Sequence, residues 1–327
     1  MIRLRKSLVL LRILFCFCIF TPINIFAEIE KFESKYHLQA ILENPTYKLS
    51  ISDFEDNQKV VDYYPNVNSR IGGGVFFKEI AGLSYTFATP VDESELSRKG
   101  KTTFEDWRLN LNYKKFQFNF NYQKFEGFYI ENTDKFVTGW NSEKDDFLQE
   151  NHLKLKNISF DFLHVWDPEK FSLLSSIDQV ERQKVSGGSW LWGLLAKRAE
   201  FTNPTPVIPL SLRSNFGSLQ NLVSSKFSSI TLSGGYGHTW VYENELFFTV
   251  LAKAGAGYDD KVYITTESAK ALDGIGSKFD LTFGGGYNGK KHTFSSFLSS
   301  DSNSTVIDNL SVTNSTINFN LTYGYRL

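Results

Sequence analysis

Five histidines are the side chains of this sequence that could bind a metal ion or transfer a proton in catalysis: His37, His152, His164, His238 and His292. No two of them lie three or four residues apart or at alternate positions of one segment, so their spacing does not predict a zinc site. His164 and His238 come two residues before Trp166 and Trp240. A ring with a polar edge beside tryptophan is typical of the aromatic girdle of a membrane protein. The girdle position is therefore favoured over a catalytic role.

Serines and glycine runs could support hydrolysis or nucleotide binding. Ser186, Ser189 and Ser233 are candidate nucleophiles for a lipid-acting enzyme, but no serine pairs with a histidine two residues away on one face. The glycine runs 72–74, 234–235 and 284–286 are not followed by a helical pattern or by Lys-Ser/Thr. Glycines inside strands more often allow close backbone approach. The sequence therefore predicts a non-enzymatic protein with no catalytic, cofactor-binding or metal-binding residues, and a lipid-modifying enzyme remains the alternative.

Charged residues at alternate positions of strand-like segments are the remaining candidates. They could form a charged constriction or a ligand contact, or they could pair with one another and hold the shape of a closed sheet. Because an unpaired buried charge is costly, pairing is favoured wherever the interior is narrow. If the interior conducts ions, Arg182 and Arg108 are expected to set the selectivity. The candidate interior charges are Asp106, Arg108, Asp161, Asp178, Arg182, Lys253, Asp280 and Arg326.

The first 27 residues predict a secretory signal peptide that is removed. Arg3, Arg5 and Lys6 precede an apolar run of about 13 residues, and Ala27 supplies a small residue at the cut. This run is shorter than the roughly 20 residues that a membrane-spanning helix needs. Both cysteines of the chain lie in this leader. Residues 28–327 therefore have no disulfide and no thiolate metal site.

The composition of residues 28–327 narrows the choice of class. The leader holds four of the 35 basic residues and none of the 36 acidic ones, so 31 basic residues remain against 36 acidic ones, a formal charge of −5. An acidic chain without a dense basic run argues against nucleic acid as the partner. The 30 Phe, 15 Tyr and 6 Trp are many for a chain with a mean hydropathy of −0.26. An exported membrane barrel and a soluble periplasmic β-protein both fit these values.

The last eleven residues favour the membrane barrel. The even positions from 318 to 326 are polar or small, whereas the odd positions are apolar. Because side chains alternate between the two faces of a strand, this pattern gives one lipid-facing surface and one wet surface. Four more segments, around 107–113, 116–122, 230–240 and 279–287, alternate in the same way. The terminal pattern also resembles the assembly signal of outer-membrane proteins, formed here by Phe319, Leu321, Tyr323, Tyr325 and Leu327.

The fold class predicted from these patterns is all-β, a single antiparallel transmembrane barrel of 12 to 14 strands. Short turns are expected in the periplasm, and long extracellular loops at 54–67, 90–100, 126–150, 201–226, 259–277 and 301–314. Residues 28–44 are predicted to be a periplasmic N-terminal segment and residues 45–327 the barrel. Thirteen strands can be placed, but bacterial barrels normally have an even number. Either a further strand lies within 201–226 or one of the thirteen is wrong. The thirteen are 45–53, 68–77, 80–89, 102–113, 116–125, 152–164, 171–183, 188–199, 227–242, 245–258, 278–288, 291–300 and 315–327.

Several short motifs between residues 63 and 240 carry a resemblance to a known family. The sequence resembles the domain-of-unknown-function 4421 family of bacterial outer-membrane β-barrel proteins. The resemblance implies the barrel and its location in the outer membrane, and it implies no activity. Val185 stands where the family often has a second lysine, and the proline-rich stretch 204–209 replaces an acidic one. The motifs are Tyr63-Tyr64-Pro65-Asn66, Ile71-Gly72-Gly73-Gly74, Ala81-Gly82-Leu83-Ser84-Tyr85, Gly100-Lys101-Thr102, Tyr122 to Tyr129, Glu181-Arg182-Gln183-Lys184, Ser186-Gly187-Gly188-Ser189 and Ser233-Gly234-Gly235-Tyr236-Gly237.

Three functions stay open for such a barrel: a narrow pore, a ligand-binding barrel, and a scaffold whose loops at 126–150 and 201–226 meet a partner outside the cell. The alternatives are an outer-membrane lipase or lipopolysaccharide deacylase and, at lower weight, a soluble periplasmic protein. The expected partners are the lipid and lipopolysaccharide of a Gram-negative outer membrane and the barrel-assembly machinery. The sequence leaves open the ligand, the oligomeric state and whether the lumen is plugged.

Overall fold

The computed structural model describes residues 28–53, 60–216, 220–307 and 310–327. The predicted signal peptide lies outside the described residues. Two short α-helices, α1 (Glu93–Lys99) and α2 (Leu173–Ser176), and two 3-10 turns, Thr133–Lys135 and Leu210–Asn215, accompany the strands. None of the helices in these ranges is long and apolar enough to cross a membrane.

The described residues form fifteen β-strands, and twelve of them close into an antiparallel barrel. The ring closes where β15 pairs with β2, from Leu310 opposite Asp53 to Arg326 opposite His37. The predicted fold class is confirmed, and the number of wall strands is twelve. The wall consists of β2 (Tyr36–Asp53), β4 (Arg70–Phe77), β5 (Ala81–Ala88), β6 (Thr103–Tyr113), β7 (Phe116–Ile130), β8 (Leu148–Val165), β10 (Gly187–Thr202), β11 (Leu222–Tyr242), β12 (Leu246–Thr265), β13 (Ala269–Asn288), β14 (His292–Ile307) and β15 (Leu310–Arg326); the other three strands are β1 (Ile29–Lys31), β3 (Val60–Tyr64) and β9 (Glu181–Gln183).

The alternation of side chains explains why these segments form a barrel wall. On β15, Phe319 and Tyr323 are 40% and 48% exposed on the outer surface, whereas Thr322 and Arg326 are buried inside. The outward positions of the neighbouring strands are apolar in the same way, with Leu38 and Leu42 on β2 as examples. The outer face is thus suited to lipid and the inner face is largely polar. We call the end with Tyr36 and Leu327 the inner mouth, and the opposite end the outer mouth.

The predicted wall strand at 171–183 is wrong. These residues form α2 and β9, which lie inside the inner mouth, and β9 pairs with β1 rather than with the wall. Ser172 caps α2 by accepting a hydrogen bond from the Ser175 backbone N–H, at 3.0 Å. Removing this segment from the wall resolves the odd strand count, and no strand within 201–226 is needed to restore an even number.

The predicted loops at 259–277 and 301–314 are also wrong. Strands β12 and β13 stay paired from Leu246–Tyr287 to Ile264–Ala269, and β14 and β15 stay paired to Ile307–Leu310. Strands β11, β12 and β13 have 21, 20 and 20 residues. A tilted strand needs only about 9–11 residues to cross a membrane. Roughly half of each strand therefore stands beyond the lipid at the outer mouth.

The wall also begins earlier than predicted. Strand β2 starts at Tyr36, so residues 36–44, predicted to be part of an N-terminal segment, belong to the barrel. At the outer mouth β3 pairs with β2, Leu49 opposite Tyr63, and with β7, Tyr64 opposite Tyr129. Strand β3 thus joins β2 to β7 directly, beyond the ends of the shorter strands β4, β5 and β6.

Candidate functional site: the occupied lumen

A packed apolar core fills the outer end of the lumen. Its members are inward-facing residues of the wall and residues of the connections between strands. Val207, Ile208 and Phe216 come from the connection between β10 and β11, and the Tyr63 hydroxyl donates a hydrogen bond to the Val207 carbonyl. Close packing of this kind excludes water from the space between these side chains. The buried core consists of Tyr47, Leu49, Ile51, Val61, Tyr63, Val67, Phe104, Phe125, Phe128, Ile130, Leu153, Leu155, Phe201, Val207, Ile208, Phe216, Leu222 and Tyr263.

A group of hydrogen bonds beside this core joins the β3–β4 connection and the α1–β6 connection to strand β7. The Asn66 backbone N–H donates to Thr102 Oγ1 at 2.7 Å, and its side-chain amide donates to the Gly100 carbonyl at 2.7 Å. Thr102 in turn donates to the Gly127 carbonyl at 2.8 Å. Gly127 has φ +91°, and a Cβ there would lie 2.1 Å from the Lys101 carbonyl, so only glycine fits. Three of the motifs that carry the family resemblance therefore meet at one place.

A neutral network of charges lies below the core. Glu43 accepts from Arg108 at 2.7 and 3.1 Å and pairs with Arg70 at 3.0 Å. Asp106 pairs with Arg108 and, at 3.5 Å, with Arg70. Glu43, Arg70 and Asp106 are almost completely buried. Two guanidinium groups face two carboxylates, so the formal charges cancel.

A second network crosses the opposite part of the wall. Lys253 lies 3.4 Å from Asp280 and 3.8 Å from Asp161, and Lys278 lies 3.2 Å from Asp280 and 3.4 Å from Asp301. The Asp301 side chain is 43% exposed although it faces inward. The lumen is therefore wide enough for water at this level, between the outer core and the inner mouth.

The inner mouth is occupied by the segment between β8 and β10, residues 166–186, which we call the inner plug. Its apolar side packs against inward residues of the wall, and Phe171 is fully buried. A Cβ on Gly237 of β11 would lie 2.5 Å from the Phe171 ring, so a glycine is required where the ring meets the wall. This cluster comprises Leu163, Val165, Phe171, Leu173, Leu191 and Leu251.

Wall side chains bind the backbone carbonyls of the plug. Arg326 donates to the carbonyl of Gln179, and Asn288 donates to that of Glu181 at 2.8 Å. Gln39 donates to the carbonyl of Asp178 at 2.9 Å. Gln179 has φ +55°, a conformation that costs energy in a non-glycine residue and persists where neighbours enforce it. The wall therefore holds a specific plug conformation and not merely a collapsed segment.

A small sheet of β1 and β9 closes the inner mouth from below. Glu30 lies opposite Arg182, and Arg182 pairs with Glu30 and, at 2.8 Å, with Glu245 of the β11–β12 turn. Lys31 pairs with Glu79 of the β4–β5 turn at 2.7 Å. Arg182 was expected on a wall strand beside the bore. It lies instead on the plug, buried and paired, because its segment is not part of the wall.

One comparison decides the family. A family model described as Domain of unknown function (DUF4421) matches residues 28–327. The chain belongs to this family. No curated protein sequence matches this DUF4421 chain.

Solved structures similar to the DUF4421 barrel are outer-membrane proteins. The outer membrane protease OmpT from Escherichia coli is 7% identical, with 91% of this chain and 98% of that chain covered and a TM-score of 0.40. The beta domain of the Bordetella autotransporter BrkA is 11% identical, with 90% and 100% covered and a TM-score of 0.36. A FadL homologue of Pseudomonas aeruginosa is 8% identical, with 89% and 90% covered and a TM-score of 0.31.

The sequence-predicted charges of this DUF4421 barrel fall into three places. Asp106 and Arg108 lie in the first network, and Asp161, Lys253 and Asp280 lie in the second. Asp178, Arg182 and Arg326 lie at the inner mouth. Sequence reasoning missed Glu43 and Arg70 of the first network and Lys278 and Asp301 of the second. Glu43 could have been found from the alternation of 36–42, where Leu38 and Leu42 place odd-numbered residues inside.

The histidines of the DUF4421 barrel do not come together. His164 is on the outward face of β8 but is buried among aromatic rings, 5.3 Å from the Trp192 ring and 5.2 Å from the Phe116 ring, and His238 lies 4.4 Å from the Trp240 ring. Both rings thus lie in an aromatic band near the inner mouth. In the part of the chain that the structure describes, no three His, Cys, Asp or Glu side chains are placed to hold a metal ion.

Asp178 gives the docked plug a pH dependence. Burial raises the pKa of its carboxyl from 3.8 to about 7, although Gln117 donates a hydrogen bond to it at 3.1 Å. The carboxyl has this raised pKa only while the plug is docked. Docking is therefore most favourable below pH 3.8, the ordinary pKa, and weakens as the pH rises to about 7. A tenfold change in acidity corresponds to about 1.4 kcal/mol, so the full effect is on the order of 4 kcal/mol.

We expect hydrogen exchange of residues 171–183 to quicken between pH 5 and pH 8.5 in the wild type by more than the intrinsic chemistry explains. In Asp178→Asn the side chain stays neutral, so the ratio of exchange rates between the two variants should grow with pH. Exchange in β12 serves as the internal reference. A ratio that is the same at both pH values would contradict this role of Asp178.

Proposed function

We propose that this protein is a non-enzymatic, sealed barrel of the Gram-negative outer membrane that supports a rigid structure at the cell surface. It is exported by the leader in residues 1–27, and the inner mouth faces the periplasm. The observation that carries the proposal is the apolar core in the outer mouth. A general pore needs a hydrated path through the barrel, whereas eighteen buried apolar side chains fill the outer mouth of this one.

The charges of the lumen support a structural role for the interior. In the Glu43 network each carboxylate faces a guanidinium group within 3.5 Å. Neutral, mutually paired charges hold strands in register but offer little net field to a passing ion. The inner plug is a second, separate closure. The narrow pore expected as one possibility from the sequence would need both closures to open.

The outer half of the barrel supports the scaffold. Strands β11 to β13 stay paired beyond the lipid for about half of their length. The apolar core packs inside this part of the barrel and makes it rigid. Helix α1, the connection at 131–147 and the connection between β10 and β11 are displayed on it. We propose that these surfaces contact a partner outside the cell. Lipid and lipopolysaccharide surround the wall, and the terminal residues 319–327 serve the assembly machinery.

Conductance in planar bilayers tests the proposal. The wild-type protein is expected to give no channel steps. Replacing residues 204–216 by a short Gly-Ser linker removes part of the outer closure, and replacing residues 169–184 removes the inner one. Each single variant should stay silent because the other closure remains. The variant with both replacements lacks the plug and three of the eighteen core side chains, so any channels should appear in this variant alone.

Two controls make the conductance result interpretable. Each variant is first shown to be a closed barrel by its altered gel migration without boiling. Steady channels in the wild type would overturn the sealed barrel in favour of a pore. Channels after replacement of 169–184 alone would show that the outer core is not a seal and that the plug is a gate.

A further inference from the structure

A cavity of about 680 Å³ lies at the inner mouth between the inner plug and the strands β6, β7 and β8. Its volume is within the range of about 300–1,000 Å³ typical of small-molecule sites. The apolar part of the lining comes from β1, the plug and the wall: Ile29, Phe116, Val165, Pro168, Phe171, Leu173 and Leu174. The cavity thus has a largely apolar lining, and it exists only while the plug is docked.

One polar group of the lining has no partner. The amide of Asn112, at the inner end of β6, has both Nδ2 and Oδ1 buried without a hydrogen bond. A buried polar group left without a partner is destabilising, and such a group usually forms its hydrogen bonds with a water molecule or a ligand. The neighbouring amide of Gln117 is already used by Asp178. Asn112 thus lines the cavity with an amide whose donor and acceptor are not used within the protein.

Two lysines supply positive charge at the rim. Lys114 and Lys115 form the β6–β7 turn and line the cavity, and their ammonium groups lie near the Tyr113 and Phe116 rings. No carboxylate of the described residues lies within ion-pair distance of either one. Lys31, which also lines the cavity, is already paired with Glu79. Of the two lining carboxylates, Glu181 accepts from Ser172 at 2.8 Å, and Glu169 is exposed.

We propose that this cavity binds a free long-chain carboxylate that enters from the periplasmic side. The acyl chain lies against Ile29 and Leu174, and the carboxylate lies at Lys114 and Lys115, next to Asn112. An apolar body with a single anionic end matches the apolar lining and the unpaired cations. The cavity is too small for a membrane lipid with two chains. The site is independent of the sealed lumen, since it lies on the periplasmic side of both charge networks.

Binding of radiolabelled oleate to the purified full-length barrel in a neutral detergent tests the proposal. The wild type should bind one oleate per chain in a saturable manner. The variant K114Q/K115Q changes only exposed turn residues and should bind at least tenfold more weakly. The matched control K290Q/K291Q alters two adjacent lysines of the β13–β14 turn at the same rim and should bind as the wild type does.

Three further measurements separate the cavity from unspecific binding. Leu174→Trp fills the cavity and should abolish saturable binding, with unboiled gel migration confirming that the barrel has folded. Oleyl alcohol, which lacks the charge, should bind weakly and equally to the wild type and K114Q/K115Q. Equal oleate binding by K114Q/K115Q and K290Q/K291Q would overturn the proposal. Binding of phosphatidylglycerol but not of oleate would overturn it as well, in favour of a membrane lipid.

Discussion

Glu43→Leu is expected to destabilise the barrel by about 3–5 kcal/mol, because it leaves the buried guanidinium group of Arg70 and the partly exposed one of Arg108 with one carboxylate between them. Glu43 is completely buried, and its carboxylate contacts Arg70 at 3.0 Å and Arg108 at 2.7 Å. Asn320 also donates to it, at 3.2 Å. The measurement is urea unfolding of the protein refolded in lipid vesicles, with the midpoint and slope compared to the wild type.

The double variant E43L/R70L gives the control for this prediction. It removes one carboxylate and one guanidinium group, so that Asp106 and Arg108 remain as a neutral pair. We expect the double variant to be more stable than Glu43→Leu alone, because apolar replacement of a whole buried pair is often neutral. If the costs of Glu43→Leu and Arg70→Leu simply add, the two charges are not coupled and the network does not hold the strands.

The wall of the barrel could be predicted from the sequence because its physical cause is local. A strand between lipid and a polar lumen must alternate, and the pattern at 317–327 shows this without any tertiary information. What the sequence pattern did not predict was how far the strands extend beyond the lipid. Where β2 leaves the lipid, its apolar residues change from the even positions 38 and 42 to the odd positions 47, 49 and 51. The change marks the point at which the apolar face turns from lipid to the outer core.

The inner plug could not be predicted from the same pattern. Phe171 and Leu173 alternate with Ser172 as on a wall strand, and the side chains that they contact come from β8, β10 and β12. Only the parity of the strand count indicated a conflict, and it left open whether a further strand lies within 201–226 or one of the thirteen predicted strands is wrong. Gln39, Asn288 and Arg326 each lie more than a hundred positions along the chain from the plug residue that they contact. Such contacts follow from closure of the barrel and have no local sequence signal.

A single bulge decides which face of β7 enters the outer core. The register shifts between Glu126 and Phe128 around Gly127. Before the bulge the odd positions such as Phe125 face inward, and after it Phe128 and Ile130 do. A bulge adds one residue to one strand and so exchanges the two faces beyond it. A prediction that assumes strict alternation along all of β7 therefore places Phe128 on the outer face instead of in the core.

Phe128→Ala is therefore expected to cost about 3–5 kcal/mol in the outer core, as for other large buried aromatic residues. Its ring is 1% exposed and lies 6.1 Å from that of Phe125 and 6.4 Å from that of Tyr47. The loss should fall on the outer half, because the lipid-facing wall does not use this side chain. Trypsin should then cut quickly after Arg213, whose 3-10 turn packs beside the core residue Ile208.

Phe160→Ala is the matched control, since Phe160 lies on the adjacent strand β8 but is 44% exposed on the outer surface. It removes the same ring from the lipid face and should leave cleavage after Arg213 as slow as in the wild type. Altered gel migration without boiling should persist in both variants, because the ring of twelve paired strands stays closed. Equal cleavage in the two variants would mean that the outer core does not fold as a unit. Loss of the closed barrel in Phe128→Ala would mean that the core and the membrane wall unfold together, and the scaffold would then depend on the core for its assembly.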